Sequence, residues 1–240
     1  LLIRILLAQV ILLLSTSGRA AELSLLTEDY PPFNFEIDGE VAGIATDILK
    51  LLVDKAELKA SYKMLPWARA QMMAQQAANT CIYSAVRNPE REARYKWIGP
   101  LVVDDMTLFT RIDHTIALHD LQDAKQYRVG GYIGDAYTKY VEAQGVPVEI
   151  SSHNRLNLRK LMAKRIDFWV AGSLNGRWLA KKEGLSDRIK PALQFGNPSD
   201  GAMWLACHPA TDHATLVKLA EALKQAHENG SIDQILHRYR

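Results

Sequence analysis

The sequence predicts an α/β fold of two lobes, one inserted within the other. Strand-like and helix-like patterns alternate along the chain, the signature of an α/β architecture. A middle block carries strand–helix units of its own between turn-rich segments at 113–123 and 195–201. Two crossings, near 109–111 and 192–195, then join the lobes, so the body has a cleft and can hinge.

The elements follow in order. Residues 23–26 supply the first strand. Pro31 and Pro32 stop it and stiffen the loop Tyr30-Pro31-Pro32-Phe33-Asn34-Phe35 at fixed φ. Asp38-Gly39 is a turn signal. From Ile44 the period changes, with Ile44, Ile48, Leu51 and Leu52 at helical spacing. Residues 66–78 read as a helix with proline at its start and 81–86 as a strand. Asn88-Pro89-Glu90 is a helix-start signature: Asn caps, Pro suits the first turn and Glu favours the positive end. Residues 101–111 read as extended, 127–132 as a strand and 135–143 as a helix closed by Gly145. A helix over 154–164 and a strand over 166–171, buried on both faces, come next. A helix over 174–183 ends at Gly184. Residues 211–228 form a long amphipathic helix, and Ser231-Ile232-Asp233-Gln234 fits a capping box for a last short one.

The first residues read as a secretory signal peptide, 1–20. Arg4 supplies the positive charge, residues 5–14 an apolar run broken only by Gln9, and Ser15–Ala20 a small-residue exit. The run is short of the roughly 20 apolar residues that span a bilayer. Cleavage after Ala20 leaves Gly18 and Ala20 at the small-residue positions. No cysteine lies near that site, so a lipid anchor is not expected. Lys plus Arg number 29 against 27 Asp plus Glu, a formal charge of +2, and loss of Arg4 and Arg19 brings the balance to zero. Such a surface has no excess charge to attract nucleic acid or a membrane. The two cysteines, Cys81 and Cys207, sit in apolar strand-like runs. In an oxidising compartment they invite a disulfide; in the cytosol they would be buried thiols.

The loop at 30–35 sets the Tyr30 and Phe33 rings beside free backbone N–H groups, which suits a small ligand with an apolar body and a charged end. Aromatics packed for stability are the alternative. Ser84-Ala85-Val86-Arg87-Asn88-Pro89-Glu90-Arg91 runs from a strand into a helix start. There Arg87 and Arg91 form either an anion site or a solvated basic face that Arg94 and Lys96 continue. In Pro66-Trp67-Ala68-Arg69, Trp67 suits stacking on a ligand and Arg69 pairing with an acid, against the plain reading of a core tryptophan. In Gly130-Gly131-Tyr132-Ile133-Gly134-Asp135 the glycines before a helix start suit an anion; the spacing is not dinucleotide-binding, and Asp135 reads as a helix cap. Enzyme signatures are mostly absent: Gly172-Ser173-Leu174-Asn175-Gly176 misses the nucleophile-elbow pattern by one place. Cys207, His208 and His213 match no common zinc spacing.

In their order and spacing these pieces resemble the bacterial extracellular solute-binding proteins of family 3, the type II periplasmic binding proteins that feed polar amino acid ABC importers. The matching parts are the Tyr30–Phe35 loop with Gly43 and Asp47, Arg91 before Trp97-Ile98-Gly99-Pro100, Val129-Gly130 with Gly134, Arg165-Ile166-Asp167, and a closing helix with Gly230. They cover residues 22–240. Trp67-x-Arg69 and Trp97-x-Gly99-Pro100 also resemble a branch whose members are often encoded without transporter partners. The resemblance implies lobe one over 22–110 plus 198–240 and lobe two over 111–197, closing on a ligand. Cys81 and Cys207 then share lobe one, which favours a bridge. The arginine matching Arg91 holds the ligand α-carboxylate, and an aromatic matching Tyr30 lies over its side chain.

Two departures stand out. Where amino-acid binders carry an Asp for the α-ammonium, this chain has Gly172. Where they carry Thr after the glycine, it has Asp135-Ala136. Either Asp135 takes over the ammonium or the ligand lacks one. A desolvated ammonium without a counter-charge costs several kcal/mol, which argues against a standard α-amino acid and leaves an anionic or aromatic solute open. The expected function is a monomeric periplasmic solute-binding protein for a small polar or anionic, amino-acid-like solute, without catalytic activity or cofactor. The expected ligand set is Tyr30, Phe33, Trp67, Arg69, Ser84, Arg87, Arg91 and Asp135. Its partner would be an ABC permease or a membrane sensor. The rival is a cyclohexadienyl-dehydratase-like enzyme on the same fold, with Asp135 or Glu28 as acid or base.

Overall fold

The computed structural model describes residues 22–239; the expected signal peptide and its cleavage site lie outside them. β1 (Leu23–Thr27) leads through the Tyr30 loop to a hairpin, β2 (Phe35–Ile37) and β3 (Glu40–Ala42). α1 (Ile44–Lys55) turns Ile44, Ile48, Leu49 and Leu52 inward, the apolar stripe of an amphipathic helix. β4 (Ala60–Met64), α2 (Trp67–Gln76) and β5 (Thr80–Val86) complete a parallel β4-β1-β5 arrangement. α3 (Pro89–Glu92) is one turn, capped where the Asn88 side chain accepts the Arg91 N–H. β6 (Lys96–Val103) follows.

After Asp104 and Asp105 the chain enters a second sheet. Its elements are β7 (Met106–Arg111), β8 (Val129–Tyr132), α4 (Ala136–Ala143), β9 (Val148–Ser151), α5 (Asn154–Met162), β10 (Phe168–Gly172), α6 (Ser173–Lys182) and β11 (Ile189–Gln194). The chain then returns to the first sheet through β12 (Ala202–Cys207) and closes with α7 (His213–Glu228) and α8 (Ser231–Arg238). The strand orders are β4-β1-β5-β12-β6 and β11-β7-β10-β8-β9. Each sheet holds its own cores. Leu25, Ile48, Leu52 and Leu205 lie at the centre of one, and Leu108, Val141 and Phe168 at the centre of another. β10 is buried along its whole length, as a central strand covered by helices on both faces must be. Among the described residues no helix is long and apolar enough to cross a membrane.

Two expectations need correction. The crossings lie at Asp104-Asp105 and between Gln194 and Ala202, not near 109–111 and 192–195, because β7 pairs with β10 from Met106 and with β11 from Thr107, and β11 runs on to Gln194. Residues 106–110 therefore belong to lobe two. The Asp104-Asp105 pair interrupts the apolar run at this break, and the single extended segment expected over 101–111 passes across it. The capping box at Ser231 does not form either. Gly230, left-handed at φ 72°, occupies the cap, and Ser231 is already helical.

Cys81 and Cys207 face each other across the β5–β12 ladder and are joined as a disulfide spanning 126 residues. The bridge ties the N-terminal part of lobe one to the strand that returns from lobe two. Replacing both cysteines by alanine should cost about 2–5 kcal/mol of unfolding free energy, the range for a native bridge closing a long loop. Denaturant titration of the double variant measures this; an unchanged midpoint would show that the ladder alone holds the return strand.

Candidate functional site

The two crossings run side by side. The Asp104 N–H donates to the Gly201 carbonyl, and the Phe195 N–H to that of Met106, both at 3.1 Å. Tyr137 of α4 donates its hydroxyl to the Asp104 carbonyl at 2.8 Å, with the Gly201 carbonyl 3.2 Å away. A Cβ on Gly201 would overlap the Asp104 carbonyl, so only glycine allows this approach. The Asp104 carboxylate accepts the N–H groups of Leu174 (2.8 Å) and Asn175 (3.3 Å) at the start of α6. One residue thus ties the hinge to the first turn of a lobe-two helix.

The lobes meet where β1, β5 and β8 end, the carboxyl edge at which open α/β sheets take ligands. Arg91 comes from α3, and its guanidinium reaches across. It donates to the Val86 carbonyl at 3.0 Å within lobe one and to the Gly134 carbonyl at 2.7 Å in lobe two. The Trp67 indole donates to the same Gly134 carbonyl at 3.2 Å, and the guanidinium lies 5.5 Å from the Trp67 ring. In the opposite sense, the Tyr132 hydroxyl of lobe two donates to the Glu28 carboxyl at 3.0 Å. Asn34 holds this corner: its amide donates to the Glu28 backbone carbonyl at 2.6 Å, and its side-chain oxygen accepts from Ser84. Ser84 sits at φ 56° inside a strand, a left-handed conformation rare for non-glycine residues and frequent at ligand sites. Further contacts close the rim. Asn175 donates to the Pro31 carbonyl at 2.6 Å, Phe35 lies 5.5 Å from Trp178, and Lys139 pairs with Glu90.

The inner pocket between these groups has a free volume of about 20 Å³, room for about one water. Its electrostatics are those of charge removed from solvent. Glu28 keeps some accessible surface, but protein encloses its carboxyl. Burial pushes that carboxyl up to about 8, the Asp135 charge adds to the rise, and the Tyr132 hydrogen bond opposes it. Burial also raises Asp135 against the Thr138 hydroxyl and N–H bonds that hold it as the cap of α4. Arg91 is lowered by burial, and Asp135 opposes this. Asp104 is raised to about 7 by burial, against its two helix N–H bonds. Two carboxyls therefore face one guanidinium in the pocket, and near neutral pH a proton on Glu28 balances them.

Tyr30, Trp67, Ser84, Arg91 and Asp135 line this pocket. Three expected residues do not. Phe33 is buried in the lobe-one core behind Tyr30, its ring 5.9 Å away. Arg69 is exposed on α2, because residues two apart on a helix do not share a face. Arg87 pairs with Glu92 at 2.6 Å and lies over the Trp97 and Trp204 rings, outside the pocket. The missing counter-charge inferred from Gly172 is corrected as well. A Cβ there would overlap the Asp104 carboxylate and press on the Tyr30 hydroxyl, so an acid from the hinge fills that space, and Glu28 brings a further carboxyl into the pocket. The sequence suggests Glu28 only as an acid or base, and it marks no role for Tyr132, Tyr137 or Asp104. The usable signal for Glu28 and Tyr132 was their place at the C-terminal ends of strands. Among the described residues no group of three or more His, Cys, Asp and Glu is placed to hold a metal ion.

Glu28 binds its proton more tightly in the folded, closed protein than at its ordinary value of 4.5. Its contribution to stability is therefore fully present below about 4.5 and is lost as pH rises through about 8. Melting temperatures across this window should fall more steeply for the wild type than for Glu28→Gln. Asp104 adds a slope of the same sign to both proteins, so parallel curves would place the Glu28 carboxyl in water.

The model of the bacterial extracellular solute-binding proteins, family 3, matches residues 24–240. A search among curated proteins finds no match. Among solved structures, an ancestral arginine-binding protein bound to arginine is 19% identical, with 91% of this chain and 97% of that one covered and a TM-score of 0.79. A histidine kinase sensor domain with similarity to periplasmic binding proteins is 16% identical, with 92% and 97% covered and a TM-score of 0.81. The arginine-, lysine-, histidine-binding protein ArtJ from the thermophilic bacterium Geobacillus stearothermophilus is 14% identical, with 91% and 95% covered and a TM-score of 0.78. These likenesses establish the two-lobed type II periplasmic-binding fold, and by the family match the chain belongs to the bacterial extracellular solute-binding proteins, family 3.

Proposed function

We propose that this protein captures a small amino-acid-like solute, one bearing both an amine and a carboxylate, in the cleft between its lobes. The observation that carries this reading is the pair of enclosed carboxyls, Glu28 and Asp135, set against one guanidinium that is itself packed on Trp67. The ligand ammonium takes the place of the Glu28 proton. The ligand carboxylate takes the place of the Gly134 carbonyl on Arg91, whose five N–H donors suit a bidentate grip. Closure is then a shift toward the joined-lobe state, driven by contacts that only this state offers. The family supports a periplasmic location and a role in delivering the bound solute to an ABC permease or a membrane sensor.

A second reading is an enzyme on the same fold, favoured by an enclosed carboxyl near 8 beside a tyrosine hydroxyl, an arrangement suited to general acid catalysis. Product formation from prephenate or arogenate would support it.

A thermal-shift screen of amino acids, amines and carboxylic acids tests the binding reading. A ligand at 100 times its dissociation constant adds about 2.7 kcal/mol, a shift of several degrees. Arg91→Ala should weaken binding by about 2–5 kcal/mol, and Glu28→Gln should remove the preference for amines. Arg69→Ala and Arg87→Ala should bind as the wild type does. Full affinity in Arg91→Ala would move the site elsewhere.

A further inference from the structure

The inner pocket is far too small for a whole solute, so the body of the ligand needs another place. Two larger cavities share walls with it. One, of about 420 Å³, shares only Val86 and Ala136 with the inner pocket, and both Glu90 and Lys139, which pair across the cleft, lie in its lining. The other, of about 500 Å³, shares Glu28 and Trp67, the groups that meet the amine and back the guanidinium. That volume lies within the range of small-molecule sites. Its lobe-one wall is Met64, Leu65, Pro66 and the Trp67 ring; Leu179 and the Ser152–Arg155 turn form the lobe-two side. The charged groups lie toward the outside, where Arg155 pairs loosely with Asp29 at 3.6 Å and both are about half exposed.

We infer that the ligand body lies in this side cavity, and that the solute is an amino acid or amino-acid conjugate with a large, mainly apolar side chain of aromatic-ring size or more. The inference rests on the reading of the inner pocket given above and deepens it. The head group is held by Glu28, Asp135 and Arg91. The side chain leaves past Glu28 and Trp67 and covers Met64, Leu65 and Leu179. Apart from Glu28, which meets the amine, the acidic and basic partners in that lining, Asp29 and Arg155, pair with each other. The cavity also spans both lobes, so a large side chain touches each of them and favours closure more than a small one does.

The test is calorimetric titration of the wild type with glycine, L-alanine, L-lysine, L-phenylalanine and L-tryptophan. Phenylalanine and tryptophan should bind about tenfold or more tightly than alanine, since apolar pockets discriminate by about that factor per missing group. Ser152→Trp fills the cavity from an exposed position and should weaken the aromatic ligands about tenfold, with the melting temperature of the free protein unchanged. Met64→Trp repeats the block from the other wall. Equal affinity for alanine and the aromatics, tighter binding of lysine, or aromatic binding indifferent to both tryptophan variants would overturn the side-cavity assignment. Binding that is still lost in Arg91→Ala would then leave the inner pocket standing. Failure of every amino compound to bind would overturn both readings.

Discussion

Everything at the centre of this molecule depends on the removal of charge from water between the lobes. A guanidinium and two carboxyls lie enclosed within one small pocket. An unpaired buried charge costs several kcal/mol, and a paired one is stable only with its hydrogen bonds complete. The joined-lobe form meets that condition with its own parts: the Val86 and Gly134 carbonyls on Arg91, the Thr138 groups on Asp135, and the Tyr132 hydroxyl on Glu28. The contacts that balance these charges come from both lobes. Separation of the lobes breaks the bonds to Gly134 and Tyr132 and lets water in instead. The electrostatics and the conformation are one equilibrium.

The hinge complements this. Asp104 and Gly201 bring the two crossing strands into contact, and Tyr137 holds both. These short crossings beside β6 and β12 are where the chain passes between the two sheets. Because the Asp104 carboxylate also seats the first turn of α6, this helix is referenced to the hinge itself. The carboxylate occupies the space left by the absent side chain at Gly172. Acid at the hinge and glycine at the strand end are one packing solution, and a substitution at either position has to be read with the other.

Most elements were legible because their signals are local: the prolines at 31 and 32, the Asn88 cap, the alternation of periods and the apolar run of β10. The strand break at Asp104 was not, since its evidence is pairing with β10 and β11, far along the chain. The same division holds for the site. Arg91, Trp67 and Tyr30 announce themselves in short motifs. Arg69 and Arg87 belong to the same motifs, but helical phase turns the first outward and Glu92 draws the second away. Glu28 and Tyr132 are 104 residues apart, and the one local mark either carries is a place at the C-terminal end of a strand. Their partnership exists only once two sheets bring their strand ends together.

The bridge between Cys81 and Cys207 has a topological meaning beyond its contribution to stability. Lobe two is an insertion, and an inserted domain depends on its host to keep its two ends together. Here backbone hydrogen bonds between the crossings do so, and a covalent bond closes the longer segment that contains them. Residues 82–206 form a closed ring from which all of lobe two is hung, while β1, β4, α1, α7 and α8 lie outside it. If lobe two loosens, the host strands β5 and β12 on either side of it in the chain stay joined at Cys81 and Cys207. A single peptide cleavage in the ring leaves both pieces on one molecule.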